Sequence, residues 1–368
     1  MTTESDRVKP RRHGNWSSEF ALTVECCRRA YACGDPRPFR ELAATFDWAR
    51  FARIVRFHRV QGLTWEGLTS IGVEIPTETA SLLSAEARHV AAANLRMAVE
   101  ARKIRAAFDQ AGLALLFVKG LTTGALAYPD PMLKMGWDID LLIDPAQLKG
   151  AAAMLAERGY RCIIPPESVP LEVWHRREKE SVWKDDRGIH VELHTRLADN
   201  KLLIAGIDVH SPRREVEIAP GIVLPTLAAN ELFAYLCVHG ASSLWFRLKW
   251  ITDLAAILQQ CDDQEIARLY ATSQTLRAGR AASSALLLAD KLYGSLRDSL
   301  LRSELASDRV SRSLCQAALR QLAGRPEPRE PTEAVGGTLA IHLCQFALLA
   351  DLRFKAGELL RQARGEPS

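Results

Sequence analysis

The chain has 368 residues, more than one hydrophobic core usually serves, so we expect two or three packed units. Apolar residues make up 48% and charged residues 25%, which is ordinary for a soluble globular protein. The net charge of +4 is small for this length and by itself gives no reason to expect a nucleic-acid-binding protein.

The apolar pattern predicts neither a secretory leader nor a membrane span. The start, MTTESDRVKPRRHGNWSSEF, has no apolar core, and the longest apolar stretches are too short to cross a bilayer. The eight cysteines include no C-x-x-C pair and mostly lie in apolar helical contexts, so we expect reduced core thiols. These features predict a cytoplasmic protein.

The N-terminal third is predicted to be helical after a short tail. Residues 1–15 are polar and basic, and we expect disorder there. Apolar residues recur at helical spacing from residue 16 onward, over a region that we place at 16–112. Its last part has few helix breakers and predicts one long helix that Gly112 ends.

Strands and helices mix over residues 113–226, which predicts a core of α/β or α+β class. LALLFVK and WDIDLLI predict strands, and GLTTGALAY between them predicts a short helix. PAQLKGAAAMLAERGY predicts a helix and YRCIIP a strand. SVWKD and IHVELHTRL predict two more strands joined by a tight turn.

The remaining residues, 227–368, form a second predicted helical region in which several stretches have an apolar stripe. Segment 323–337 is rich in proline and glycine and predicts a linker or exposed loop. After it we expect one last helix of about twenty residues or more that runs to about Arg364.

The stretch GWDIDLLID places two carboxylates on one face of a predicted strand. Asp138 and Asp140 are two residues apart, so their side chains project from the same face. Glu192, at the centre of IHVELHTRL, offers a third carboxylate from another strand. Carboxylates are the ligands that Mg²⁺ prefers. The alternative is that these residues are only the solvated faces of ordinary strands.

The histidines beside Glu192 raise a zinc alternative. His190 and His194 are four residues apart, but the H-E-x-x-H motif of metalloproteases has a different order and lies on a helix. Because the surrounding pattern is strand-like, we expect both imidazoles to pack beside the carboxylate and tune it.

A Lys-Gly turn at Lys119 and Gly120 precedes the aspartates and opens the short predicted helix. Such a turn exposes backbone N–H groups that can hold phosphate oxygens, and Lys119 adds a positive charge. A phosphate-binding turn followed by a metal-binding D-x-D is the layout expected for a nucleoside triphosphate site.

The ordered combination of these stretches resembles an uncharacterised bacterial nucleotidyltransferase family of the DNA polymerase beta-like superfamily. The matching stretches are FVKGLTTGALAY, LKMGWDIDLLID, GIHVELHTRL and VHGASSLWFRLKWITDLAAIL, within residues 80–260. The resemblance implies an α+β fold whose nucleotidyltransferase core, a small mixed sheet with helices, is flanked by N- and C-terminal helical regions. It also implies that Asp138, Asp140 and Glu192 are catalytic and hold two Mg²⁺ ions, with Mn²⁺ as an alternative.

The resemblance further implies nucleotide-binding residues, with two departures from the superfamily pattern. Lys119 and Gly120 stand where the superfamily usually has Gly-Ser, and Lys134 stands where the family more often has Arg. The spacing from Gly120 to Asp138 is also longer than usual, so phosphate binding is expected to differ in detail.

The stretch HGASSLWFRLKWITDLAAIL supplies further candidates. Arg247 and Lys249 are expected to reach a triphosphate, and Trp245 or Trp250 to stack on a base. The alternative is that the tryptophans are core residues and the charges form a solvated face or a structural ion pair.

The resemblance therefore implies an enzyme that transfers NMP from an NTP, with ATP expected, to a hydroxyl or phosphate acceptor on a small molecule, peptide or protein. Two alternatives stay open: an RNA-directed (tRNA or toxin-like) nucleotidyltransferase, and a non-catalytic nucleotide-binding or interaction protein with a degenerate core.

Overall fold

The computed structural model describes residues 16–32, 45–323, 329–333 and 337–364. The predicted tail at residues 1–15 and most of the predicted linker at 323–337 therefore lie outside the described residues. Within the described residues, four helices precede the first strand, and the last of them ends just before Gly112, whose φ is +67°. They are α1 (Ser18–Tyr31), α2 (Trp48–His58), α3 (Gln61–Ile71) and α4 (Thr77–Gln110).

The middle of the chain contains seven strands and three α-helices within the described residues. In chain order they are β1 (Leu115–Phe117), α5 (Leu121–Ala127), β2 (Asp138–Ile143), α6 (Leu148–Glu157), β3 (Arg161–Ile164), α7 (Leu171–Arg177), β4 (Glu180–Lys184), β5 (His190–His194), β6 (Arg213–Ala219) and β7 (Ile222–Leu227). The hairpin of β6 and β7, and the helix α7, are elements that the sequence pattern did not predict.

The described residues after β7 form helices joined by turns and loops, and they contain no strand. The helices are α8 (Ala229–Ser242), α9 (Leu248–Gln259), α10 (Asp263–Thr275), α11 (Arg280–Tyr293), α12 (Ser299–Ser307), α13 (Arg309–Ala323), α14 (Leu339–Gln345) and α15 (Leu352–Ala363). The prediction of one long last helix is wrong, because the chain turns between α14 and α15. Asp351 starts the second helix by accepting hydrogen bonds from the backbone N–H groups of Arg353 and Phe354.

Five strands form one small mixed sheet in the order β1-β2-β5-β4-β3. Strands β2 and β5 are parallel, whereas the other neighbouring pairs are antiparallel. Strands β6 and β7 pair separately as a hairpin. The predicted α+β class with helical flanks is confirmed. The division of the chain into three regions, with boundaries at residues 112/113 and 226/227, stays a prediction.

The two faces of β2 belong to different environments. Ile139, Leu141 and Ile143 are buried with α4 and α6 in one apolar cluster. The opposite face carries Asp138, Asp140 and Leu142, of which Leu142 joins the larger cluster built by the N- and C-terminal helices. The period-two pattern therefore seals one face and leaves the carboxylates on the other.

All seven cysteines among the described residues are free thiols. No helix in the described part of the chain combines the length and the apolar character that crossing a membrane requires.

The N- and C-terminal helices are joined at His58, the last residue of α2, whose ring is 2% exposed. Its Nδ1 accepts a hydrogen bond of 3.2 Å from the backbone N–H of Leu248, at the start of α9. Burial, together with the nearby Arg247 guanidinium, lowers the pKa of His58 to about 3. The ring is therefore neutral in the folded protein at neutral pH.

We expect His58→Asn to flatten the acid dependence of stability. The unfolded imidazole binds a proton below about pH 6.5 and the folded one only near pH 3, so stability falls by about 1.4 kcal/mol per pH unit as the pH drops between these values. Asn keeps an acceptor for the Leu248 N–H but does not titrate. Unfolding free energies at pH 6, 5 and 4 measure the difference in slope, with His210→Asn, an exposed histidine, as control. Equal slopes for the parent and His58→Asn would contradict the assignment.

Candidate active site

The parallel pairing of β2 and β5 brings two predicted carboxylates side by side. In this register Asp140 lies opposite Glu192, and Asp138 lies opposite His190. Asp140 is 2% exposed, while Glu192 and Asp138 are half-buried. The structure thus places Asp138, Asp140 and Glu192 on one face at the centre of the sheet.

Lys119 lies against both paired carboxylates. Its Nζ is 2.8 Å from Oδ1 of Asp140 and 3.3 Å from Oε2 of Glu192. Burial would lower the pKa of Lys119, but the two carboxylates raise it well above its usual value, so the ammonium stays charged. The residue predicted to bind phosphate therefore neutralises the carboxylates in this structure.

His194 joins three carboxylates, whereas His190 lies opposite Asp138, and tuning of the site by both histidines stays a prediction. Its Nε2 lies 3.2 Å from Asp140 Oδ1 and 3.4 Å from Glu192 Oε2, and its Nδ1 lies 3.1 Å from Oε2 of Glu180 on β4. Burial would lower the pKa of His194, but these carboxylates raise it to about 9. Glu180 was not predicted as part of the site, because its contact depends on the pairing of β4 with β5.

The carboxylates titrate differently because their surroundings differ. Burial and the adjacent Asp140 raise the pKa of Asp138 to about 7. Burial acts in the same direction on Glu192, but Lys119 and His194 hold its pKa well below the usual range. Glu192 is therefore ionised. An additional positive charge beside Asp138 would lower its raised pKa and favour the ionised carboxylate.

The donor set fits a divalent cation. Ligand atoms of Asp140, Glu192 and His194 lie within 4.8 Å of one another. Oδ2 of Asp140 is buried and has no hydrogen-bond partner, which is costly for a carboxylate oxygen unless a ligand satisfies it. Four carboxylates here face three cationic side chains, which leaves an excess of negative charge. The carboxylates belong to Asp138, Asp140, Glu180 and Glu192, and the cations to Lys119, Lys179 and His194.

Gly120 allows the turn after β1 to approach the carboxylates. Its φ of +63° and ψ of −117° are disfavoured for residues with a side chain. A Cβ at this position would lie 3.5 Å from the carbonyl oxygen of Asp138 and 3.9 Å from Oδ2 of Asp140. A glycine here leaves space directly beside the unpartnered carboxylate oxygen.

The segment leading into β2 is held by Asn94 of α4, a residue that the sequence did not single out. Its Nδ2 donates to the carbonyl oxygens of Met132 and Lys134 at 2.9 and 2.6 Å, and its Oδ1 accepts from the Gly136 N–H at 3.2 Å. Asn94 is 1% exposed, so these bonds fix the entry to Asp138. The sequence signal that could have identified Asn94 is a polar residue among the apolar positions that form the buried face of α4.

Lys134 lies in a buried network beneath this segment. Its Nζ is 3.3 Å from Oδ2 of Asp253, and the hydroxyl of Tyr128 donates to Oδ1 of the same carboxylate at 2.8 Å. All three side chains are buried. The predicted contact of Lys134 with a triphosphate stays a prediction, since the structure shows its charge paired inside the protein.

Arg247 connects α9 to its neighbours. Its guanidinium stacks 4.4 Å from the ring centroid of Phe57 and donates hydrogen bonds to the Phe57 carbonyl oxygen and to Glu330. Its predicted role at the nucleotide also stays a prediction.

Trp245, a candidate for base stacking, is 2% exposed and packs against Gly240, so it is a core residue, as the alternative interpretation held.

Lys249 differs from Lys134 and Arg247, because it is a buried residue whose ammonium forms no salt bridge with a described residue. Only 9% of the residue is exposed, and among the described residues it has neither a salt bridge nor a hydrogen bond from its side chain. Burial and the nearby Lys134 lower the pKa of Lys249 to about 7.

A small mixed sheet with carboxylates on adjacent strands, a Lys-Gly turn beside them and helical flanks defines a protein of the nucleotidyltransferase class. A family described as uncharacterised nucleotidyltransferase matches residues 44–294, and the chain belongs to this family. The match confirms the resemblance and extends it on both sides of residues 80–260. No curated protein matches the chain.

Proposed function

We propose that the protein is a metal-dependent nucleotidyltransferase that transfers NMP from an NTP, with ATP preferred, to a hydroxyl or phosphate acceptor on a small molecule, peptide or protein. The observation that carries the proposal is the buried Oδ2 of Asp140, which lacks a partner and lies on the same face as Glu192 of the adjacent strand. Membership of a nucleotidyltransferase family supports it.

Asp138, Asp140 and Glu192 would hold Mg²⁺, or Mn²⁺ in its place, because hard cations take oxygen ligands. When bound, the metal stabilises the charge on the leaving pyrophosphate and lowers the pKa of the acceptor hydroxyl. His194 orients the carboxylates, since it contacts Asp140 and Glu192 from one side and Glu180 from the other.

The remaining residues act on the reacting groups. Lys119, already charged and pointing at the carboxylates, faces the charge that develops on the triphosphate, and Gly120 lets a phosphate come close. The acceptor oxygen bonds to the α-phosphorus, the bond from that phosphorus to the bridging oxygen breaks, and pyrophosphate leaves. Glu192 is placed to take the acceptor proton, because its side chain is 19% exposed whereas that of Asp140 is sealed at 0%.

The direct test is a thermal-shift screen of ATP, GTP, CTP and UTP, each with Mg²⁺ and with EDTA. We expect at least one NTP to raise Tm by several degrees only when Mg²⁺ is present, because a ligand at about 100 times its Kd stabilises the folded state by about 2.7 kcal/mol. The same screen with Mn²⁺ tests the second ion. No Mg²⁺- or Mn²⁺-dependent shift with any NTP would instead support a non-catalytic protein with a degenerate core.

A further inference from the structure

Trp137, the residue directly before Asp138, is an aromatic side chain that the protein leaves in solvent. It is 57% exposed, and among the described residues no other phenylalanine, tyrosine or tryptophan is in the exposed class. The guanidinium of Arg59 lies 5.7 Å from its ring centroid. An exposed tryptophan beside a cation is a stacking platform for an aromatic anion.

Three elements meet at this position. Arg59 follows the last residue of α2, and the neighbouring His58 and Phe57 bind the backbone and side chain at the start of α9. The turn segment that ends in Trp137 is held from behind by Asn94. The C-terminal end of α2, the N-terminal end of α9 and the entry to β2 therefore surround one corner of the carboxylate site.

Lys249 lies on α9 at this same corner. Asp253, one helical turn later on the same face, is fixed by Lys134 from the β2 entry segment and by Tyr128. Lys249 accordingly lies over the entry segment, where Asp138, Lys134 and Arg59 all act on its charge. The carboxylates of Asp138 and Asp253 oppose these cations, but neither forms a salt bridge with Lys249. A nine-tenths buried cationic residue without a salt bridge, beside two further cations, indicates a site for an anion.

From this juxtaposition we infer that Trp137, Arg59 and Lys249 form the subsite of the nucleotide itself, in which the nucleobase stacks on Trp137 and a phosphate is bound by Lys249 and Arg59. The inference rests on the proposed function and deepens it. In this arrangement the NTP binds on the side of the site where Asp138 lies, and the acceptor binds on the side where Glu192 lies. Trp137, rather than Trp245 or Trp250, is then the residue that contacts the base.

The test separates the base from the phosphates by using two kinds of probe. Calorimetric titration in Mg²⁺ measures the Kd of the α,β-methylene analogues of ATP and GTP, which contain a base, and of inorganic tripolyphosphate, which does not. We expect Trp137→Ala to weaken binding of the analogues by about 10- to 100-fold and to leave tripolyphosphate unchanged. Trp137→Phe, which keeps an aromatic face, should bind the analogues nearly as tightly as the parent.

Lys249→Met is expected to weaken both kinds of probe by about tenfold or more, because each contains the phosphates. Its Tm should equal or exceed that of the parent without ligand, since an unpaired buried ammonium is replaced by an apolar side chain of similar length. Arg59→Gln should also weaken both probes. Its matched control is Arg56→Gln, in the last turn of the helix that Arg59 follows, and the partner of Arg56, Glu86, lies on α4.

Two outcomes for Trp137→Ala would overturn the inference while leaving the proposed function intact. If Trp137→Ala binds the analogues as tightly as the parent, Trp137 contacts something other than the base, such as a protein partner. If it loses tripolyphosphate and analogues equally, the effect is structural. A parent protein that binds neither analogue nor tripolyphosphate would instead refute the proposed function and this subsite together, so the two failures are distinguishable.

Discussion

Asp140→Asn is expected to lower NTP-dependent nucleotidyl transfer by about a thousandfold or more while the chain stays folded. A metal ion contributes several kcal/mol to stabilising transition-state charge, and each 1.36 kcal/mol corresponds to a tenfold change in rate. Asn keeps the shape of the side chain but removes the charge that would hold the ion. The measurement is pyrophosphate release, or label transfer from an α-labelled NTP, with Mg²⁺.

The substitution should be tolerated by the fold because the cluster has more carboxylates than cations. Without the Asp140 charge, Lys119 still pairs with Glu192, and His194 still contacts Glu192 and Glu180. The matched control is Asp144→Asn, just beyond the end of β2. Asp144 caps the following turn by accepting the Ala146 N–H, which Asn can also do. Transfer at the parental rate by Asp140→Asn would remove Asp140 from the metal site.

The strands that carry the site were predictable because their signals are local. Alternation in β2 and β5 placed Asp138, Asp140 and Glu192 on strand faces, and Lys119 with Gly120 marked a turn. The direct pairing of Asp140 with Glu192 is a property of the parallel register between strands that are about fifty residues apart. The need of a metal site for a third carboxylate and the family resemblance both suggested Glu192 beforehand, but neither gives this register.

Other features depend on partners that no local pattern names. The sequence shows that Lys134 and Arg247 are charged, but not that the fold places Asp253 against one and Phe57 with Glu330 against the other. For Lys249 the fold supplies no such partner. Likewise, the periodic apolar residues near the C-terminus fit one long helix, and only the cap at Asp351 separates α14 from α15.

Asp140→Asn removes a negative charge from the site, whereas Lys119→Met removes a positive one. We expect Lys119→Met to have the largest effect on stability. It removes the ammonium from Asp140, whose side chain is fully buried, and leaves His194 as the one remaining salt-bridge partner of Asp140 and Glu192 among the described residues. Removing one partner of a buried ion pair typically costs about 3–5 kcal/mol. We therefore expect a loss of this size in the free energy of unfolding, measured by denaturant titration in EDTA.

Mg²⁺ should reverse most of this loss, and that reversal separates a metal site from an ordinary buried ion pair. Once Lys119 no longer competes for the carboxylates, Mg²⁺ stabilises the variant more than the parent at equal concentration. Arg50→Met is the matched control. Its guanidinium lies 2.9 Å from Glu19, with side-chain exposures of 23% and 7%, so it also breaks a mostly buried ion pair, but one between α2 and α1 rather than in the sheet. Mg²⁺ should not restore its stability. If Mg²⁺ restores neither variant, Asp140 and Glu192 are partners of Lys119 alone and do not form a cation site.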